Sequence, residues 1–349
     1  MPTILITGAA GFVGGHVARE AARYRADLRL MSHRSPLLGS GSPLHKGSPI
    51  QEGPATQEGP ATQEGPAAQE GPPAQEGPAA HGGARVVRAD LTDPASLRGV
   101  CDGVDVLIHC ASQIGGGVEV NEAVNARGTA ALIEEARRAG VARIVQLSTA
   151  SVYGRGTFRG DRPEELSRNP GSPTSLTRAT AEDTVLAAGG VVLRPHLVYG
   201  EGDRWVVPGL TRMLRVLPGT VEGWPARTSV IAAPELAALL VATALAPAAD
   251  LTASVYHATH PEPLRVDTLL RAVADCTGTD WPDRELTADR ARAVLAEKGV
   301  PASGLDMFTT DHVFDSTPLW SDLRRAPGAG FDTDFPLAAP WYRKALLDG

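Results

Sequence analysis

Three glycines near the start of the chain have the spacing of a phosphate-binding turn. Gly8, Gly11 and Gly14 follow the apolar residues 3–7 and precede an amphipathic stretch that begins at Phe12. A glycine-rich turn between a strand and a helix lets the backbone approach a pyrophosphate, and the free N–H groups at the start of the helix bind phosphate oxygens. The pattern therefore predicts that a dinucleotide binds at this turn.

Residues after the next two apolar stretches indicate which dinucleotide it is. The second stretch ends in Ser32, His33 and Arg34, where NAD-binding proteins usually carry an acidic residue for the ribose hydroxyls. A guanidinium beside a small hydroxyl residue suits a 2′-phosphate, so this tripeptide favours NADPH, with NADH as the other option. The alternative is that Arg34 only begins a solvated loop. Asp90, after the third stretch, is placed to accept a hydrogen bond from the adenine amine.

These residues lie at the ends of short apolar stretches that alternate with amphipathic ones. The pattern predicts strands at 3–7, 27–32, 85–88, 105–109, 143–148 and 190–194, and helices at 12–24, 94–101, 121–139 and 173–188. Alternation of this kind is typical of an α/β fold built on a doubly wound parallel Rossmann sheet.

The regular alternation ends near residue 195, which predicts a chain in two parts. We expect residues 1–195 to form a dinucleotide-binding Rossmann domain, and residues 228–258 to rejoin its sheet through strands at 228–232 and 254–259. Helices predicted at 208–214, 266–276 and 288–297 then belong to a smaller C-terminal substrate-binding lid, made of residues 196–227 and 259–349.

Residues 35–84 interrupt the first part with a segment of low complexity. Six-residue units that open with Gln-Glu-Gly-Pro begin at Gln51, Gln57, Gln63, Gln69 and Gln75. The segment has no aromatic residue and few branched ones, so it cannot bury enough apolar surface to offset the entropy lost on ordering. We expect a disordered insertion at the surface.

Composition excludes several classes of partner. The chain has 349 residues, of which 42% are hydrophobic and 21% charged, and its formal net charge is −7. An acidic balance without a basic patch argues against nucleic acid, and no apolar run approaches the roughly 18 residues that suggest a membrane span. Cys101, Cys110 and Cys276 have the spacing of neither a disulfide framework nor a zinc site, so we expect no metal and a cytoplasmic location. The expected partner is a small-molecule substrate, and the expected state is a monomer or homodimer.

Further motifs follow in a recognisable order, at residues 7–14, 90–93, 108–112, 124–129, 147–154 and 193–203. Together they resemble an extended short-chain dehydrogenase/reductase of the NAD(P)-dependent epimerase/dehydratase family, over nearly the whole chain apart from the insertion. With the positions given above, the resemblance implies cofactor contacts at Thr7, Gly8, Gly11, Phe12, Val13, Gly14, Ser32, His33, Arg34, Asp90, Leu91, Cys110, Ala111, Ser112, Arg178, Pro195, His196 and Val198.

The catalytic positions of that family are altered in this sequence. Family members use a Ser or Thr that bonds the reacting oxygen, a Tyr that acts as acid and base, and a Lys four residues after the Tyr. Counting back from Glu182, which matches the family's acidic residue on that helix, Thr174 stands at the Tyr position and Arg178 at the Lys position, while Thr149 keeps the Ser/Thr position. None of the five tyrosines has a Lys four residues later, so the acid–base pair is missing.

Other residues must therefore meet the chemical needs of the site. Thr149 and Thr174 can donate hydrogen bonds, and Arg178 can bind the nicotinamide ribose but does not release its proton. His196 follows Pro195 at the end of a predicted strand, and its unperturbed pKa would let it titrate near neutrality. The alternative is that His196 only packs and bonds the backbone.

Three functions are compatible with these features. The first is NADPH-dependent reduction of a ketone on a bulky, aromatic or glycosylated small molecule, whose own acidic hydroxyl can assist protonation. Ketoreductases of antibiotic pathways, including angucyclinone-type enzymes, are the branch that the altered residues most resemble. The second is a redox-neutral epimerase, dehydratase or cyclase that retains its nucleotide. The third is a non-catalytic NADP-binding protein, which the absent Tyr favours and the complete cofactor motifs oppose.

Overall fold

A computed structural model describes residues 1–33, 75–76, 84–300 and 304–347. Its strands are β1 (Thr3–Thr7), β2 (Asp27–Ser32), β3 (Gln75–Glu76), β4 (Arg85–Arg88), β5 (Val106–His109), β6 (Arg143–Leu147), β7 (Phe158–Asp161), β8 (Val191–Arg194), β9 (Leu197–Tyr199), β10 (Thr220–Val221), β11 (Arg227–Thr228), β12 (Val230–Ala232), β13 (Val255–His257), β14 (Leu264–Arg265), β15 (Glu285–Leu286) and β16 (His312–Phe314). Its α-helices are α1 (Phe12–Ala21), α2 (Val118–Asn121), α3 (Thr129–Arg138), α4 (Pro173–Ala187), α5 (Val206–Val216), α6 (Ala233–Leu245), α7 (Val266–Thr277), α8 (Ala288–Glu297), α9 (Asp306–Thr309), α10 (Thr317–Asp322) and α11 (Phe331–Leu347). Shorter helices follow the 3₁₀ geometry at Pro94–Leu97, Ala150–Tyr153, Pro163–Glu165 and Ala248–Asp250, and a π-helix spans Glu122–Gly128.

The central sheet confirms the predicted Rossmann architecture. Its parallel strands run in the order β13-β8-β6-β5-β1-β2-β4. Alternate residues of β1 pack into different layers, Ile4 and Ile6 on one face and Leu5 on the other, and all three are fully buried. Helices α1 and α6 cover the first face, and α3 and α4 cover the second, so the strands are apolar on both sides.

One edge of the sheet involves the predicted insertion. β3 pairs antiparallel with β4, with Gln75 opposite Arg88 and Glu76 opposite Val87. Ala84, the last residue of the predicted insertion, is buried in the core. The expectation of disorder throughout residues 35–84 is thus wrong for these positions, and the rest of the segment lies outside the described residues.

Residues 228–258 divide between several sheets. β13 pairs with β8 at the edge of the central sheet. Residues 228–232 pair elsewhere, contrary to expectation, because β11 joins β14 and β16 and β12 joins β9. Between them lies α6, which the periodicity did not predict because this helix is apolar nearly all round and buried against α1.

The C-terminal part has a core of its own. Helices α5, α7, α8 and α11 contribute Leu210, Leu270, Leu295 and Phe335 to one buried cluster. Helix α11 was not predicted, since Pro336 and Pro340 lie inside it and prolines usually end helices. Helix α10 instead packs Leu319 and Trp320 into the Rossmann core, so the segment 317–322 does not belong with the lid.

Candidate active site

The glycine-rich turn has the shape that a pyrophosphate needs. Gly8 has a φ of +68°, and a Cβ there would lie 2.7 Å from the backbone nitrogen of Ala111. A Cβ on Gly14 would lie 2.1 Å from the carbonyl oxygen of Gly8, so neither position tolerates a side chain. Helix α1 starts after Gly11 with no side-chain cap and no acidic residue in its first turn, which leaves its N–H groups for an anion. These residues fit the phosphates of a dinucleotide.

Thr7, the last residue of β1, forms hydrogen bonds with other residues of the protein. Its hydroxyl lies 2.7 Å from Nδ1 of His109 and accepts a hydrogen bond from the N–H of Ala111 at 3.2 Å. The other ring nitrogen of His109 lies 2.9 Å from the hydroxyl of Thr129. Thr7 is fully buried, so its side chain joins β1 to β5, and its contact with a cofactor stays a prediction.

The residues predicted at the adenosine end contact one another. Nδ1 of His33 lies 2.7 Å from a carboxylate oxygen of Asp90, whose other oxygen accepts two hydrogen bonds from Thr92. Burial alone would raise the pKa of Asp90, but the bonds from Thr92 and His33 hold it below its usual value. An adenine amine would therefore share this carboxylate with His33. Arg34 lies outside the described residues.

The remaining predicted cofactor contacts line the same end of the sheet to different degrees. Phe12 and Val13 open α1 half-buried, and Cys110, Ala111, Ser112 and Val198 are half-buried after β5 and within β9. Ser112 donates a hydrogen bond to Asn125, whereas Leu91 and Pro195 are buried, Leu91 in the core under α3. Contact of these residues with a cofactor stays a prediction.

Thr149 stands at the end of β6 and caps a short helix. Its hydroxyl oxygen accepts a hydrogen bond from the N–H of Ser151 at 3.1 Å and lies 3.0 Å from the Ser151 hydroxyl. Thr149 is half-buried and Ser151 is exposed. Sequence reasoning did not single out Ser151, although its position two residues after Thr149 is that of a helix-capping contact.

Arg178 brings a buried positive charge to the site. One of its terminal nitrogens donates to the carbonyl oxygen of Leu147 at 2.7 Å, and no carboxylate among the described residues forms an ion pair with it. Burial lowers the pKa of Arg178 to about 10, while Glu182 opposes this shift. The guanidinium is therefore still charged at neutral pH. Its acceptor, Leu147, lies two residues before Thr149 in the sequence.

Thr174 holds a glycine loop in place. Its hydroxyl donates to the side-chain oxygen of Asn121 at 2.9 Å and accepts from the N–H of Gly115 at 3.2 Å. The amide nitrogen of Asn121 donates in turn to the carbonyl oxygens of Gly115 and Gly117. The hydroxyl proton of Thr174 is therefore bonded to Asn121, so it is not free to donate to a substrate.

His196 lies in an aromatic cluster. Its ring stacks on His312 with centroids 5.3 Å apart and lies 5.2 Å from Phe314, and its Nε2 has no hydrogen-bond partner. Burial, with His312 and His257 nearby, lowers the pKa of His196 well below the usual value. The expectation that it titrates near neutrality rested on an unperturbed pKa. In this setting the ring is neutral at pH 7 and cannot serve as a charged acid.

A buried ion pair connects the segments that carry these residues, and sequence reasoning used only one member of it. Arg194 donates to both carboxylate oxygens of Glu182, at 2.9 and 2.5 Å, and to the hydroxyl of Tyr153 at 2.7 Å. Ser148 also donates to Glu182. Glu182 lies one turn after Arg178, so the pair fixes α4 against the ends of β6 and β8.

A separate cavity of about 600 Å³ opens beside β13. Arg162, Arg168, Arg194, Tyr256 and His257 line it, and none of the predicted catalytic or cofactor residues does. Among the described residues, no His, Cys, Asp and Glu side chains group as a metal site would require. None of the helices in the described ranges is long and apolar enough to span a bilayer.

Comparison with known proteins identifies the family of this chain. Residues 4–223 match the NAD dependent epimerase/dehydratase family. The 2-alkyl-3-oxoalkanoate reductase of Stenotrophomonas maltophilia is 31% identical over 268 residues, 70% of this chain and 80% of the relative. A 4-hydroxy-2-methyl-3-oxo-4-farnesyl-3,4-dihydroquinoline-1-oxide ketoreductase of Stigmatella aurantiaca is 31% identical over 142 residues, 38% of this chain and 42% of the relative.

A solved structure supports the fold at lower identity. The Bordetella bronchiseptica enzyme WbmH in complex with NAD+ is similar over 99% of each chain, with a TM-score of 0.68 and 17% sequence identity. The relatives by sequence are oxidoreductases, and the family's Tyr–Lys pair is absent from the positions described above. The chain therefore belongs to the NAD-dependent epimerase/dehydratase family, as an atypical extended short-chain dehydrogenase/reductase.

Proposed function

We propose that this protein uses NADPH to reduce a ketone on a bulky, aromatic polyketide-type small molecule in secondary metabolism. One observation supports the proposal: Arg178 brings a buried charge to the carbonyl of Leu147, two residues before Thr149, in a site where the described residues offer no titrating acid. A fixed cation and a hydroxyl can stabilise the negative charge that develops on a carbonyl oxygen. They cannot supply a proton by titration, so the proton comes from the substrate or from water.

The names of two relatives support reduction of a ketone. One relative is named for reduction of a 3-oxoalkanoate. The other is named for a ketone on a farnesylated quinoline, which carries a hydroxyl on the carbon next to the ketone. A hydroxyl beside the ketone is the feature that would let a substrate polarise its own carbonyl. An aromatic ketone with such a neighbour is the substrate that needs least from this site.

Each residue of the site has a separate role in the proposed reaction. When bound, the reduced nicotinamide supplies the hydride. Thr149 donates a hydrogen bond to the carbonyl oxygen, and loss of such a donor elsewhere costs about 100- to 1000-fold in rate, an upper limit here. Arg178 binds the ribose hydroxyls and stabilises the alkoxide. Gly8, Gly14 and the start of α1 bind the pyrophosphate.

Turnover with defined ketones tests this function. Purified protein should oxidise NADPH in the presence of 8-hydroxy-α-tetralone, an aromatic ketone with a neighbouring phenol. Tight NADPH binding without oxidation by any hydroxylated aromatic ketone would contradict the proposal. It would favour the non-catalytic NADP-binding protein, which the occupied hydroxyl of Thr174 supports. Bound nucleotide in the purified protein would instead favour the redox-neutral epimerase, dehydratase or cyclase.

Cofactor choice has its own test. We propose NADPH over NADH because Ser32, His33 and Arg34 take the place of an acidic residue, and a guanidinium binds a phosphate in a bidentate manner. Titration with both cofactors should give the lower Kd for NADPH, and Arg34→Ala should remove the difference. Tighter binding of NADH, or an unchanged preference in the variant, would contradict this choice. We further propose that the protein acts in the cytoplasm as a monomer or homodimer.

A further inference from the structure

We propose that Ser151 passes a proton from solvent to Thr149, and that this pair of hydroxyls replaces the acid of the missing Tyr–Lys pair. The inference rests on the proposed ketone reduction and specifies its source of protons. It assigns a positioning and relay role to a residue that neither the sequence motifs nor the geometry of the cofactor site had used.

The contacts of Thr149 allow Ser151 to donate to it, which leaves the Thr149 proton for another acceptor. Its oxygen accepts the N–H of Ser151 at 3.1 Å and lies 3.0 Å from the Ser151 hydroxyl. When Ser151 donates across that distance, both lone pairs of the Thr149 oxygen are occupied. The Thr149 proton must then point to another acceptor, and a substrate oxygen in the cleft is such an acceptor.

The exposure of Ser151 connects this pair of hydroxyls to solvent. Ser151 is exposed while Thr149 is half-buried, so the two oxygens form a short chain from solvent into the site. Each O–H in such a chain polarises the next, which strengthens the hydrogen bonds. We assign to Arg178, which donates to the carbonyl two residues before Thr149, the stabilisation of the substrate oxygen until the proton arrives.

Other hydroxyls and rings of the site are occupied. Thr174 donates to Asn121 and accepts from Gly115. The Tyr153 hydroxyl is buried, accepts from Arg194 and lies 2.7 Å from Nε2 of His257. His196 lies in an aromatic cluster, where desolvation lowers its pKa well below the usual value. Among the described residues near the end of β6, Thr149 and Ser151 alone combine an available proton with access to solvent.

The step balances without any further reactant. A reduced nicotinamide, when bound, would supply the hydride to the carbonyl carbon, and the π electrons of the C=O bond would move to oxygen. That oxygen takes the proton of Thr149, Thr149 takes the proton of Ser151, and Ser151 takes one from a water molecule, which leaves as hydroxide. The two electrons that the ketone gains would be those of the hydride that the nicotinamide gives up, and both side chains return to their starting state.

Ser151→Ala isolates the relay, because the variant keeps the backbone N–H that Thr149 caps. With α-tetralone, which has no acidic hydroxyl, we expect kcat to fall at least about tenfold at unchanged KM, since positioned proton transfer typically contributes 100- to 10,000-fold. The solvent deuterium isotope effect should indicate several moving protons in the wild type and one in the variant. Ser151→Thr should restore both properties, and Ser321→Ala, at an exposed serine of α10, should match the wild type. 8-Hydroxy-α-tetralone should rescue Ser151→Ala because it carries its own proton.

Binding measurements separate a relay from a structural effect. Calorimetry should give the same Kd for NADP+ in Ser151→Ala and wild type, because the hydroxyl does not hold the cofactor. A loss of turnover matched by an equal loss of NADP+ affinity would overturn the relay. So would normal turnover of α-tetralone by Ser151→Ala. Wild-type protein that oxidises NADPH with neither ketone would overturn the proposed function and the relay with it.

Discussion

Arg178 is the residue on which the electrostatics of the site depend. It is buried, charged and bonded to the Leu147 carbonyl, in the place where the family has a Lys that works with a Tyr. Without that Tyr, the cation has no phenol to activate, and we propose that it acts on cofactor and substrate. A guanidinium is suited to both, because it keeps its charge and presents several donors in one plane.

Removal of this guanidinium should weaken cofactor binding. In Arg178→Ala we expect the Kd for NADPH to rise roughly 10- to 100-fold, because a hydrogen bond to a charged group is worth about 1.5–3 kcal/mol. Fluorescence titration measures the change, and Arg178→Lys serves as the control that keeps the charge but loses the planar donors. Since Leu147 also loses a partner, the melting temperature of each variant must be measured. An unchanged Kd in a folded Arg178→Ala protein would show that Arg178 does not reach the ribose.

Restoring the family pair should harm this site. The double variant Thr174→Tyr, Arg178→Lys removes the hydroxyl that joins Asn121 to Gly115, and it places a bulky ring against the loop that Asn121 holds. We expect lower kcat/KM and a loss of roughly 1 kcal/mol in stability for each hydrogen bond removed. Thr174→Ala, the matched control, should lose stability but keep most of its activity. A clear gain in activity by the double variant would mean that the missing Tyr is a defect.

At the scale of elements, the turn from β1 into α1 positions the phosphates by excluding side chains. Gly14→Ala would put a Cβ 2.1 Å from the Gly8 carbonyl oxygen, so the helix must move away from the turn. We expect a loss of about 1–3 kcal/mol in the free energy of unfolding, as overpacking usually costs, together with loss of cofactor binding. Gly209→Ala is the control, because that glycine of α5 has open space around it and the change should stabilise by about 0.5–1 kcal/mol. Retained NADPH affinity in Gly14→Ala would contradict this account of the turn.

The connection from β2 to β4 is constrained by the parallel pairing of these strands. Arg29 lies opposite Arg85 and Ser32 opposite Arg88, so the chain must return from the end of β2 to the start of β4, roughly 10 Å away along the strand. Parallel neighbours need a crossover of about a dozen residues or more. A short turn between residues 34 and 84 therefore cannot join them.

Replacement of residues 35–83 tests what the insertion contributes. With a Gly/Ser linker of about twelve residues we expect a melting temperature and NADPH affinity close to wild type, because longer flexible loops add little closure entropy. With a two-residue turn we expect a protein that fails to fold. A third variant that keeps β3 measures the contribution of its pairing with β4. A large loss of stability with the long linker would show that the insertion packs on the domain.

At the scale of the whole molecule, buried histidines make stability depend on pH. Burial lowers the pKa of His109 to about 4, with help from Arg178, and burial likewise lowers the pKa of His257 to about 4. An unfolded histidine titrates near 6.5, so between these values the unfolded chain binds protons that the folded protein excludes. Stability is therefore complete above pH 6.5 and falls as the pH decreases towards 4.

We expect urea denaturation to show directly how the free energy of unfolding depends on pH. From pH 7 to pH 5 each histidine should remove about 2 kcal/mol from the free energy of unfolding. His257→Gln should be less stable at pH 7 but should lose less on acidification, since one of the titrating groups is gone. Equal stability of the wild type at both pH values would contradict the burial of neutral histidines.

The sequence by itself determined what depends on neighbours along the chain. The strand, glycine turn and helix of the cofactor site follow from the spacing of Gly8, Gly11 and Gly14, and the absence of a Tyr–Lys pair is a fact of the sequence. The alternation of apolar stretches was enough to predict the parallel sheet, which the strand order confirms. The sequence did not predict helix α6, because a helix buried on all sides has no polar face and therefore no periodic alternation of polar and apolar residues.

Only the tertiary structure decided which of the predicted side chains are available for chemistry. Thr7 is bound to His109, 102 residues away, and Thr174 to Asn121, 53 residues away, so no local pattern could show that their hydroxyls are occupied. The pKa of His196 is lowered by burial and by His312, which reaches the site from the far end of the chain. Hydrogen-bond occupancy and desolvation are properties of a packed environment, and residues distant in sequence create that environment.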